Sequence, residues 1–454
     1  MVPSQLYRAT VVDTPVSPFE GGEARYDADI ALVVADGVIR FRGSFDEASR
    51  LHPDATVIDL REGVLLPGLV DTHVHFPQLR SMAGLGLPLL DWLDRYTLPE
   101  ETRFADDAYA REVAPQFLTA LAAAGTTSAL VFGSHFAGAM HEFFAAASAS
   151  GLRITSGLVV GDRMLLDGLY TTPDRARTEA AELIAAWHGN GRLRYAVTPR
   201  FSLSASDELL AACGDTFASR DDLWFTSHLN ENLAEVETVA GLFPDRRDYL
   251  DTYDHHGLVN RRSVYAHSVH TSVPELARMA EVGASVAHCP TSNSALGSGL
   301  FPLRRHLDAG VRVALGTDVG AGNGFSLFKD GIQAYFMQML LGPEGVQLTP
   351  AHLLYLATLA GAEALGLDGD GGVGHLGVGM QFDAIHVRPA PGSAFDIVLS
   401  RSASAGDVLA RTFALATTYD VAATWVGGDL VHARSSALGD EGASALTDPV
   451  PLHD

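Results

Sequence analysis

Lysine is nearly missing from this chain of 454 residues: Lys329 is the only one, and with 31 basic against 55 acidic side chains the formal charge is −24 at neutral pH. The arginines that remain are scattered, so the positive footprint that holds a phosphate backbone is absent, and nucleic acid is not an expected partner. Cysteine is equally scarce. Cys213 and Cys289 cannot build a disulfide framework, and each sits in an apolar segment, as a buried free thiol does in a reducing compartment. No apolar run reaches the about 18 residues a membrane span needs, and Met1 to Thr10 lacks a charged head followed by an apolar stretch. A cytoplasmic protein without a membrane partner is expected. What is abundant is apolar surface: 47% hydrophobic residues against 19% charged ones give a chain able to bury a large core. Its length allows about three average domains, or one large α/β barrel with an appendage.

From Val64 onward, short β-branched runs recur at 64–75, 126–132, 153–160, 193–200, 223–229, 263–269, 284–290 and 312–318. Between them lie Ala/Leu/Glu-rich stretches such as Ala108 to Ala124, Asp174 to Trp187 and Val273 to Glu281. Several end at a glycine, Gly125, Gly283 or Gly310, that suits a helix C-terminus. Alternating strand and helix implies a parallel sheet. Eight such units fill about the 250 residues typical of a (β/α)8 TIM barrel, and no glycine-rich dinucleotide fingerprint argues for an open sheet instead. The flanks read as all-β. IALVVADGVIRF with an Asp-Gly turn and ATVIDL lie before the barrel; FDAIHV, FDIVLS and ATWVGGDLVH with a Gly-Gly turn lie after it. The expected architecture is a small β-sandwich formed from both termini, residues 1–63 and 376–454, with the barrel at 64–375 inserted between them. Helices are expected at Leu327 to Leu340 and Pro350 to Leu365, and a poorly ordered tail at 434–454.

Catalytic groups of such a barrel sit at the C-terminal ends of its strands. The polar residues found there are His73 and His75 on the first strand, Arg200 on the fourth, His228 on the fifth, His267 on the sixth and Asp318 on the eighth. Side chains alternate along a strand, so His73 and His75 share a side and can grip one ion. His228 and Asp318 complete a shell of three nitrogens and one oxygen with room for water, the pattern of catalytic zinc. Glu231, three residues after His228, is placed to move protons without binding the metal. The remaining histidines, among them His135, His141, His188, His255, His256 and His352, read as surface or packing residues.

The segments PGLVDTHVH, SHLNEN, YAHSVH, AHCPTSN and LGTD, in that order, resemble the amidohydrolase superfamily. Pro77-Gln78, LPLLDWLDRYTLPEETRF at 87–104, VTPRFSLS at 197–204 and ALGLDG at 364–369 narrow the resemblance to the guanine deaminases. It implies one zinc ion per subunit on His73, His75, His228 and Asp318, a purine substrate, a homodimer, and hydrolysis of guanine to xanthine and ammonia. In that scheme Asp318 takes a proton from water, Glu231 protonates N3 and then the leaving amine, and His267 hydrogen-bonds the attacking oxygen. Gln78, Trp92, Arg200, Phe201 and Glu231 contact the base, with Gln78 and Arg200 on its O6 and N1 edge. Binuclear relatives bridge two metals with a lysine on the fourth strand. The only lysine here, Lys329, lies beyond the eighth, which favours one metal. The chain departs from the family pattern at Phe76, Leu79 and Thr291. A related ring, 8-oxoguanine, a pterin or an aminotriazine, stays open as substrate, as does a non-catalytic scaffold on the same fold.

Overall fold

The computed structural model describes residues 4–82 and 84–434; the tail expected to be poorly ordered lies, from 435 on, outside them. Five strands open the chain: β1 Gln5–Asp13, β2 Arg25–Ala35, β3 Val38–Ser44, β4 Thr56–Asp59 and β5 Val64–Pro67. The Asp-Gly turn joins β2 to β3 with positive φ at both Asp36 and Gly37, the mirror-image turn that matches the twist of a hairpin. The barrel strands follow as β6 Leu69–His75, β7 Thr126–Phe132, β8 Arg153–Gly157 with the short β9 Val159–Val160, β10 Leu193–Pro199, β11 Trp224–Leu229, β12 Ser263–His267, β13 Ser285–His288 and β14 Arg312–Leu315. Three more strands return to the terminal domain: β15 Ala384–Val387, β16 Val421–Val426 and β17 Asp429–Ala433.

All eight expected barrel strands are present, parallel and in sequential order around the sheet. Every residue of β6, β7 and β11 to β13 is buried, as continuous apolar runs covered on both faces must be. The ends meet where Asp318 N donates to His73 O at 2.8 Å and His75 N to Val319 O at 3.0 Å. That seam needs a glycine: a Cβ on Gly316 would stand 2.9 Å from the Cβ of His73. Helices run over Asp107–Ala123, Pro173–Trp187 and Val273–Val282, and left-handed Gly283 closes the last of them.

The termini build one β-domain, whose strands are hydrogen-bonded into a continuous sheet in the order β17, β16, β15, β5, β1, β2, β3, with β4 alongside the first half of β1. Tyr7 stacks on Phe382 at 4.3 Å in its core, so residues from the two ends of the chain share one apolar cluster.

Three expectations need correction. Residues 64–67 belong to the terminal sheet, because β5 pairs with β1 and β15; the barrel begins at Leu69. FDIVLS is not a strand but a helix, Ala394–Leu399. Ser393 Oγ accepts from Asp396 N and the Asp396 carboxylate from Gly392 N, while Phe395, Val398 and Leu399 fall at helical spacing against the core. The helix expected over Pro350 to Leu365 is two, Pro350–Ala357 and Leu359–Ala364, broken where Thr358 leaves helical geometry at φ −133°, ψ −90°.

Candidate active site

The C-terminal ends of β6, β10, β11 and β12 and the turn after β14 open on one cleft. It is lined by His75, Gln78, Trp92, Arg200, Phe201, His228, Glu231, His267 and Asp318, with Leu89, Leu93, Leu296 and Ala321 supplying apolar wall. His73 lies directly beneath, fully buried. Nε2 of His75 is 3.1 Å from Nε2 of His73 and 3.3 Å from Nε2 of His228, and Asp318 Oδ1 is 3.1 Å from His75 Nε2 and 3.2 Å from His73 Nε2. One ligand atom from each of the four lies within 4.8 Å of the others.

This donor set fits a divalent cation. The Arg200 carbonyl accepts from His228 Nδ1 at 2.7 Å, which fixes the proton there and turns the Nε2 lone pair toward the other imidazoles. Burial pushes the His73 imidazole down to about 4, so it is neutral and able to ligate at neutral pH. Burial works against a charged Asp318, yet His73 and His75 beside it hold it well below the ordinary carboxylate range. Three imidazoles and one carboxylate thus converge as a set that could hold one divalent cation.

Around this centre, Glu231 Oε2 is 3.5 Å from His267 Nε2, which is itself 3.8 Å from Asp318 Oδ2. Asn293 Oδ1, 3.0 Å from His267 Nδ1, accepts its proton and leaves Nε2 facing the two carboxylates. Burial, then the nearby Asp318 charge, pushes Glu231 up to about 8, an environment suited to an acid that holds its proton at neutral pH. The Glu231 backbone is pinned in turn, its N–H donating to Glu235 Oε2 at 3.0 Å. His267 and Asp318 adopt left-handed backbone, φ 69° and 49°, a conformation that costs non-glycine residues about 1 to 3 kcal/mol and clusters at functional sites.

All the residues expected from the sequence converge here. Others were missed. Asp71 accepts from His73 N and Thr317 N and from Thr317 Oγ1, locking β6 to the turn that carries Asp318. The carboxylate partner of Arg200 is Glu101, at 2.5 Å. His135, read as a surface or packing residue, is buried with Nε2 3.5 Å from Glu101. Burial alone would raise Glu101, but Arg200 and His135 beside it hold the carboxyl well below its usual range. No local spacing signals these partners, which lie 34 and 99 residues away in the sequence.

The sequence model of the Amidohydrolase family matches residues 64–431. The chain belongs to the amidohydrolase family. Within it, a probable guanine deaminase of Deinococcus radiodurans is 59% identical over 438 residues, covering 95% of this chain and 99% of that protein. The solved guanine deaminase of E. coli superposes with a TM-score of 0.90 at 35% identity, over 96% of this chain and all of that one. A guanine deaminase from C. acetobutylicum, solved with guanine in its active site, gives a TM-score of 0.86 at 27% identity, over 94% of this chain and all of that one. The family's fold, a parallel barrel with a β-domain made from the termini, is the fold of this chain. Among the described residues no helix is long and apolar enough to cross a membrane.

Proposed function

We propose that this amidohydrolase is a guanine deaminase that hydrolyses the C2 amino group of guanine to give xanthine and ammonia, with one zinc ion per subunit on His73, His75, His228 and Asp318. The observation that carries the reading is a single cleft in which that buried donor set and Glu231 face Gln78, Arg200 and Phe201. Its support from kinship is the run of guanine deaminases that align over nearly the whole chain.

When bound, zinc supplies the Lewis acidity that makes a water acidic near neutral pH. Asp318 accepts the proton of the attacking water and His267 orients its oxygen. As the C2–O bond forms, the C2–N3 π pair moves to N3, which takes the proton of Glu231. Glu231, reprotonated by the proton that Asp318 removed, then passes it to the exocyclic amine. The C2–N bond breaks, the proton of the C2 hydroxyl returns through Asp318 to Glu231 as the carbonyl forms, and ammonia leaves. Phe201, 5.9 Å from the His228 ring, and Trp92 supply flat apolar surface for the purine, while Arg200 and Gln78 meet its O6 and N1 edge. Adenine carries an amino group where Arg200 needs an acceptor, which sets the choice of base.

Metal analysis of the purified protein, combined with the absorbance change from guanine to xanthine and an ammonia assay, tests the reading. One zinc per chain with stoichiometric ammonia is expected. Zinc-loaded protein that releases no ammonia from guanine overturns it.

A further inference from the structure

Glu101 belongs to no strand end and to no part of the reaction described above, yet it is 3% exposed and sits against the cleft wall. It lies on the short helix Leu98–Thr102. Its Oε1 accepts from the Gln78 amide at 3.0 Å, its Oε2 from Arg200 Nη1 at 2.5 Å, and His135 Nε2 stands 3.5 Å from the same Oε2. Gln78 follows β6, His135 follows β7 and Arg200 follows β10, so one carboxylate ties three loops of the mouth together.

We propose that Glu101 is a positioning residue for base recognition: it fixes Arg200 and Gln78 in the orientation that reads the O6 and N1 edge. This rests on the guanine deaminase reading and adds to it the group that aligns the specificity residues. An arginine side chain in an open cleft samples many rotamers. Held through one Nη by a buried carboxylate, the planar guanidinium keeps a single plane before substrate arrives, and the cost of ordering is met in folding rather than in binding. The pairing also cancels the charge of Arg200, so the wall offers donors to a neutral lactam oxygen without drawing in anions.

A double-mutant cycle on the zinc-loaded enzyme tests this. Glu101→Gln is expected to keep its metal and to lower kcat/KM for guanine by about 10 to 100-fold, and Arg200→Gln by about 100-fold. Because Glu101 acts through Arg200 as well as Gln78, the loss in the double variant should fall clearly short of the product of the two single losses, where independent effects would multiply. The ratio of guanine to 2-aminopurine turnover, the latter lacking O6, should narrow in Glu101→Gln as it does in Arg200→Gln. Glu101→Asp keeps the charge but withdraws it by one methylene, and should lose about 3 to 10-fold with normal folding, which preserves the test if the glutamine variant does not fold. Multiplicative losses, equal loss on both purines, or wild-type kcat/KM in either Glu101 variant overturns the proposal. A wild-type enzyme inactive on guanine fails the parent reading instead.

Discussion

At the scale of single residues, the proposed reaction assigns proton transfer to Glu231 and metal binding to the histidines, and the two roles fail differently. Glu231 is not among the four residues whose ligand atoms converge. Glu231→Gln should therefore retain stoichiometric zinc and a normal unfolding midpoint while kcat falls by about 100 to 10,000-fold, the usual worth of a placed acid/base. Loss of zinc from that variant would make Glu231 a ligand. His73→Ala and His228→Ala remove one of only three nitrogen donors, so zinc and turnover should disappear together. Full zinc with unchanged activity in either would dismantle the centre. The convergence of His73, His75, His228 and Asp318 was legible in the sequence because strand ends and a two-residue period dictate where their side chains point. Glu101 and Asp71 were not, since their worth lies in partners brought in by the fold, Arg200 99 residues and Thr317 246 residues away.

At the scale of elements, buried strands announce themselves through continuous apolar runs, and all eight barrel strands were read in that way. FDIVLS shows the limit of the signal. Six apolar-rich residues fit a strand or a helix equally, and what decides is the cap formed by Ser393 and Asp396, a side-chain bond that no hydropathy pattern contains. Strand ends also carry titratable groups that the chemistry does not use. His288 ends β13, 1% exposed and stacked on Phe301 at 4.2 Å, and burial pushes it down to about 3. Its imidazole is neutral in the fold and takes a proton near 6.5 when unfolded, so the unfolded state binds more protons between those values. The associated stability is complete above about pH 6.5 and is lost as pH falls toward 3. At pH 5 the loss is about 2 kcal/mol. Chemical denaturation of His288→Leu at pH 8 and pH 5 should show a fall in unfolding free energy smaller than the wild type's by that amount. An unchanged difference would mean that His288 is protonated in the folded protein.

At the scale of the whole molecule, the barrel is held by a sheet that draws on both ends of the chain, and the seam between the two is polar as well as apolar. Arg153, at the start of β8, forks onto Asp383 just before β15, Nε to Oδ2 at 2.7 Å and Nη2 to Oδ1 at 2.9 Å, and Nη2 also reaches Gln381 Oε1 at 2.6 Å. Asp383 Oδ1 further accepts from Gly427 N at 2.7 Å, so one carboxylate joins the barrel to the turn between β16 and β17. The Asp383 side chain is 1% exposed and that of Arg153 12%. Removing one partner of so buried a pair strands the other charge without solvent, a loss of about 3 to 5 kcal/mol, whereas removing both leaves no orphan. Asp383→Ala should lower the unfolding free energy by about the smaller figure, since Arg153 keeps some contact with water. The double variant Arg153→Met, Asp383→Ala should recover part of that loss. The pair lies at the N-terminal ends of the strands, opposite the cleft, so zinc content and kcat/KM for guanine should stay within about twofold of wild type in the fraction that remains folded. An Asp383→Ala protein with the wild-type denaturation midpoint would show that apolar packing alone holds the sheet to the barrel, and a stable variant with impaired turnover would show that the seam transmits its geometry to the opposite face.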